Sequence, residues 1–133
     1  MNNLFLLLLI FTICCAYWFF YKLKKGTIKK NRGLQIIESE LGDKYGKRAT
    51  VVIFSTTFCS ECRAAKALIN DVTSTLSDIS YIEIDAESNL ELVRKVDIRS
   101  TPTTIFLDKA GFEIARATGA PKRDQLIKAI ASL

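Results

Sequence analysis

The chain predicts an α/β domain, a mixed sheet with helices on both faces, carried behind a single membrane-spanning helix. Three observations predict it. Met1 to Tyr21 holds no charged side chain, and Leu4 to Tyr21 is an almost unbroken apolar run. Apolar, β-branched stretches then alternate with helix-forming ones in the order β-α-β-α-β-β-α, which needs helices on both sides of one sheet. Finally, the pair Cys59-Ser60-Glu61-Cys62 sits where the first strong strand hands over to a helix.

The apolar run comes first. As a helix, residues 4–21 span roughly 27 Å, about the hydrocarbon thickness of a bilayer. Tyr17, Trp18 and Tyr21 gather at its C-terminal end, where aromatic rings favour the interface. A cleaved signal peptide is the rival reading. Met1-Asn2-Asn3 lacks a basic n-region, however, and Ala16-Tyr17-Trp18 is a poor cleavage site. Residues 1–21 therefore read as an uncleaved anchor.

Residues 22–33 read as a basic juxtamembrane linker with Lys22, Lys24, Lys25, Lys29, Lys30 and Arg32. Lys and Arg flanking a span stay on the cytoplasmic side, so the following domain, residues 34–133, is expected in the cytoplasm. The opposite, cell-envelope side is the alternative. The cluster also accounts for the net charge of +5. Residues 33–133 carry 13 basic and 14 acidic side chains and show no basic footprint for nucleic acid.

Within the domain, 34–46 stays open between a helical face (Leu34, Ile37, Leu41) and a short strand. Ala49 to Ser55 is continuously apolar, as a central strand is. A helix follows from Ser60 to Leu76, with Ala64, Ala67, Leu68 and Val72 on one side. Ile79 to Asp85 alternates as a second strand, and Asn89 to Val96 reads as a short helix. Thr103 to Leu107, a turn at Asp108-Lys109-Ala110-Gly111, and Phe112 to Thr118 form a hairpin. Lys122 to Leu133 closes the chain as an amphipathic helix with Leu126, Ile127, Ile130 and Leu133 apolar.

Composition narrows the chemistry. The chain has no histidine, which removes Ser-His-Asp and Cys-His nucleophilic schemes and His-ligated metal sites. Of four cysteines, Cys14 and Cys15 fall in the apolar run, where they read as packing residues or sites of palmitoylation. Cys59 and Cys62 remain, too few for a four-thiolate zinc site in one chain. A C-x-x-C pair at a helix start near a βαβ pattern reads as a redox dithiol, because the helix N-terminus favours a thiolate.

Four spaced features together resemble the thioredoxin family over roughly residues 47–133. They are Phe58-Cys59-Ser60-Glu61-Cys62-Arg63, Ile84-Asp85 closing the next strand, Val96-Asp97-Ile98-Arg99-Ser100-Thr101-Pro102-Thr103, and Gly119 after the last strand. The resemblance implies a thioredoxin-like fold and a thiol–disulfide oxidoreductase that needs neither cofactor nor metal. It implies Cys59 as nucleophile and Cys62 as resolving thiol. Phe58, Thr101, a cis Pro102 and Gly119 would contact a disulfide-containing protein substrate. An unidentified reductase or electron donor would recycle the dithiol.

The chain departs from the family pattern at several points. Ser60-Glu61 stands where Gly-Pro is common between the cysteines, and Phe58 where Trp is usual. Ile53 occupies the strand position at which many members carry a buried acid. Glu61 places a carboxylate near the sulfurs, opposing thiolate formation, and Arg63 partly offsets it. The alternatives are a non-catalytic interaction module at the membrane and a metal-binding protein using cysteines from two chains.

Overall fold

The computed structural model describes residues 2–24, 26, 28–30 and 33–133. Lys25 and Arg32 of the basic cluster, and the side chains of Lys29 and Lys30, lie outside the described residues, as does Met1. The elements in chain order are α1 (Asn2–Lys24), β1 (Ile28–Lys30), α2 (Glu38–Leu41), β2 (Ala49–Ser55), α3 (Ser60–Thr73), β3 (Ile79–Asp85), α4 (Leu90–Lys95), β4 (Thr103–Asp108), β5 (Glu113–Thr118) and α5 (Arg123–Ala131). The helix α1 is apolar over most of its length, has none of its residues buried, and is long and apolar enough to cross a membrane.

The sheet runs β1-β5-β4-β2-β3, with β2 and β3 parallel and every other pair antiparallel. All seven residues of β2 are buried, which explains why it lacks the alternation of a half-solvated strand. Strand periodicity sorts its side chains to two cores. Val52 and Phe54 join Ile82, Ile84, Ile105 and Leu107 beneath α2 and α4. Val51 and Ile53 join Phe106, Ala115 and Ala117 against Ala65 and Ile69 of α3 and Leu126 and Ile130 of α5.

Several elements differ from expectation. The segment expected as a linker contains β1, which pairs with β5 through Ile28↔Ala117, Lys29↔Arg116 and Lys30↔Ala115. A three-residue strand with two lysines carries no readable alternation; the open edge of β5 is what recruits it. The open stretch 34–46 resolves into a bridge, Gln35↔Phe112, followed by the single turn of α2. The helix α3 ends at Thr73, and its buried face is Cys62, Ala65, Ile69 and Thr73 rather than Ala64 and Ala67. Alanines say little about phase, which contact with the sheet decides. Ile127 likewise lies 47 % exposed, so α5 packs through Leu126 and Ile130.

The β4–β5 turn follows from its residues. Asp108 Oδ1 accepts the backbone N–H groups of Ala110 and Phe112, at 2.8 and 3.0 Å. Gly111 adopts φ +83°, and a Cβ there would collide with the Tyr45 side chain.

Two ion pairs link peripheral segments of the domain. Lys95 donates to both carboxylate oxygens of Glu40 at 2.6 and 2.7 Å, joining α4 to α2. Arg48 donates to Asp78 at 2.6 Å. The Lys95 bond holds Glu40 below the usual carboxylate range, and the Arg48 bond does the same for Asp78. Unfolded carboxyls titrate near pH 4, so this stabilisation is complete above about pH 5 and fades as pH falls through the lowered folded-state values. Urea midpoints are expected to drop between about pH 4 and 2, and Lys95→Met to make that drop shallower.

Candidate active site

The site is assembled where β2 ends. Ser55 is buried, Thr56 and Thr57 turn outward, and Phe58 stands 98 % exposed at the tip. Cys59 is the N-cap of α3, with an extended backbone (φ −110°, ψ 108°), and its Sγ accepts the Cys62 backbone N–H at 3.1 Å. A sulfur here receives an otherwise orphaned helix N–H and lies at the positive end of the helix dipole. Cys62, one turn further, is 1 % exposed. The two sulfurs stand at disulfide distance, with Cα atoms 5.1 Å apart. The accessible sulfur is therefore Cys59, and the shielded one Cys62.

Across from the pair, the loop before β4 brings its own backbone. The Thr101–Pro102 peptide is cis. The Thr101 carbonyl oxygen lies 3.9 Å from Cys59 Sγ, and Thr101 Oγ1 lies 3.4 Å from Thr56 Oγ1. Gly119 donates its N–H to the Pro102 carbonyl at 2.8 Å, placing the end of β5 beside the loop. Cys59, Cys62, Thr101, Pro102 and Gly119 thus converge, although up to 60 residues separate them. Phe58 adjoins Cys59 in the chain but projects into solvent and packs on none of them.

A pocket of about 330 Å³ is lined in part by Cys62. Ser55, Thr56, Thr57, Arg63, Lys66 and Asp85 complete its lining. Sequence reasoning missed Lys66 and Asp85 as site residues, although two signals were present. Lys66 follows Cys62 by one helical turn, and Asp85 closes the strand next to Ser55, its register partner. Ser88 donates to Asp85 at 2.6 Å, which with a backbone bond from Glu87 keeps that carboxyl ionised well below its usual range.

Neighbouring charges form a second layer. Lys66 Nζ lies 3.0 Å from Glu83, and Tyr81 donates to the same carboxylate at 2.7 Å. Burial alone would raise Glu83, but the bonds from Tyr81 and Lys66 outweigh it and hold the carboxyl low. Burial, reinforced by Glu83, pushes the Tyr81 phenol strongly upward. Ile53, by contrast, is fully buried among apolar side chains. Residue 53 therefore brings no titratable group to the core between the sheet and α3.

Comparison with known proteins agrees with this geometry. The Thioredoxin family model matches residues 37–132. The chain is 30% identical to a thioredoxin of Gallus gallus over 106 residues, covering 80% of this chain and 98% of the chicken protein. It is 37% identical to Thioredoxin H5 of Oryza sativa subsp. japonica over 82 residues, 61% of this chain and 58% of the rice protein. The match thus spans little more than half of that plant relative. Among solved structures, thioredoxin-2 of a malaria parasite superposes with a TM-score of 0.63 at 23% identity, over 79% of this chain and 99% of the other. Thioredoxin of Nicotiana alata superposes with a TM-score of 0.59 at 28% identity, over 65% and 73%.

Proposed function

The chain belongs to the thioredoxin family, and from that premise we propose that it is a membrane-anchored thiol–disulfide oxidoreductase acting on protein disulfides. The observation that carries the reading is the Cys59–Cys62 pair at the start of α3, facing the Thr101–Pro102 loop. In the reduced protein, Cys59 thiolate attacks one sulfur of a substrate disulfide, and the other substrate sulfur leaves as a thiolate and takes up a proton. Cys62 then gives up its proton, attacks Cys59 Sγ and releases the second substrate thiol, leaving Cys59 and Cys62 oxidised. The proton from Cys62 has a polar exit through the pocket shared with Lys66 and the ionised Asp85. The exposed Phe58 and the Thr101 backbone flank the nucleophile as substrate contacts, and Gly119 keeps the groove floor low.

Residues 4–21 supply the anchor. Lys22 Nζ lies 4.9 Å above the Trp18 ring, a pairing suited to the headgroup layer. The basic flank favours a cytoplasmic domain. There, a reducing poise drives net reduction, with an electron donor that regenerates the dithiol. Full-length protein in phospholipid vesicles, given insulin and dithiothreitol, is expected to accelerate insulin reduction. A chain no better than dithiothreitol alone refutes the oxidoreductase. Protease added to intact cells is expected to spare the domain, and its digestion there refutes the cytoplasmic side.

A further inference from the structure

The anchor joins the domain beside its active-site groove. The helix α1 ends at Lys24. Two residues later, Gly26 donates its backbone N–H to the Thr118 carbonyl at 2.8 Å. The next residue after Thr118 is Gly119, which donates to Pro102, and the adjoining Thr101 carbonyl lies 3.9 Å from Cys59 Sγ. Pairing of β1 with β5 extends the hold past Gly26.

The seating of Gly26 is close. It is buried at φ +80°, and a Cβ there would collide with the Ala120 carbonyl oxygen. Only glycine lets the chain lie against the 118–120 segment in this conformation. Covalent geometry then bounds the separation. With about 3.8 Å per residue step and ordinary bond lengths, the path from the end of α1 to the Cys59 sulfur is at most about 28 Å. The bound is independent of how α1 is tilted.

We propose that this short, pinned connection dedicates the dithiol to disulfides presented near the bilayer surface, namely those in membrane-proximal segments of membrane proteins. The inference rests on the anchored oxidoreductase reading and narrows its substrate class. Chemically the step is unchanged. The target disulfide takes two electrons from the Cys59/Cys62 dithiol, the two thiol protons pass to the product thiols, and an external dithiol such as dithiothreitol restores the pair. What the pinning adds is effective concentration at low height and loss of reach at large height.

Full-length protein in phosphatidylcholine/phosphatidylglycerol vesicles tests this with two lipid-linked probes. Each carries the same cyclic disulfide peptide on a polyproline spacer, one of five residues and one of thirty. At about 3.1 Å per residue the spacers present it near 15 and 90 Å. The wild type is expected to reduce the low probe at least about twenty-fold faster than the high one. A forty-residue Gly/Ser insertion after Lys24, which adds an r.m.s. span of about 35 Å, is expected to narrow that ratio by several-fold while leaving the rate on soluble insulin unchanged. Equal wild-type rates on both probes, with the protein floating with vesicles and reducing insulin, overturn the inference alone. Failure to float with the vesicles overturns the anchored reading and the inference with it.

Discussion

Replacing Cys59 with serine is expected to abolish turnover, lowering insulin reduction by about 10³-fold or more, because a serine hydroxyl at this position has no activating base and cannot form a disulfide. Cys62→Ser is expected to fail differently. Its Cys59 still sits at the N-cap of α3, where the backbone N–H of residue 62 reaches the sulfur. It still attacks, but nothing resolves the mixed disulfide. A disulfide-bearing peptide should therefore accumulate on Cys62→Ser as a one-to-one adduct in the intact mass, released by dithiothreitol. The double variant should form no adduct. An adduct on Cys59→Ser but not on Cys62→Ser would reverse the assigned roles, which rest on Cys62 being 1 % exposed and Cys59 the more accessible of the two.

The second large effect concerns Ile53, which stands where the resemblance implies an acid in many relatives. Ile53 is fully buried against Ala65 and Ile69, so Ile53→Asp places a carboxyl in an apolar site. Burial disfavours the charged form and raises such a carboxyl by as much as 3–5 pKa units, each unit being about 1.4 kcal/mol. The expected loss at pH 7 is about 4 kcal/mol or more, a large part of the roughly 5–15 kcal/mol that holds a domain together. The sign follows from linkage. The folded-state pKa lies above the unfolded value near 4, so the electrostatic penalty is absent below about pH 4 and grows as pH rises toward the folded-state value. Urea denaturation of wild type and variant should show the difference narrowing at low pH, with a remainder from the lost isoleucine packing. A pH-independent difference would mean that the introduced carboxyl finds a partner or water.

Much of the site was legible because its chemistry is local. Cys59 and Cys62 lie three residues apart at a strand–helix junction, and spacing alone places them on one helical turn. Pro102 and Gly119 were reached through family resemblance, since no local rule predicts that they face Cys59. Lys66 and Asp85 were not assigned to the site for a related reason. Each reads as an ordinary surface charge in its own element, and only the β2–β3 register and the phase of α3 bring them beside Cys62.

Local sequence was enough for the apolar helix, the strong central strand, the order of elements from β2 to α5 and the dithiol. Each of these is written in composition and period over a few consecutive residues. The phase of α3, the recruitment of Ile28–Lys30 to the edge of β5, and the seating of Gly26 beside Thr118 emerge only in the folded chain. Those outcomes depend on which backbone groups and faces are left open by elements distant in the chain. Backbone hydrogen bonding is common to nearly all residues, so it leaves little mark in the sequence. It is nonetheless what bounds the distance between the end of α1 and the Cys59 sulfur.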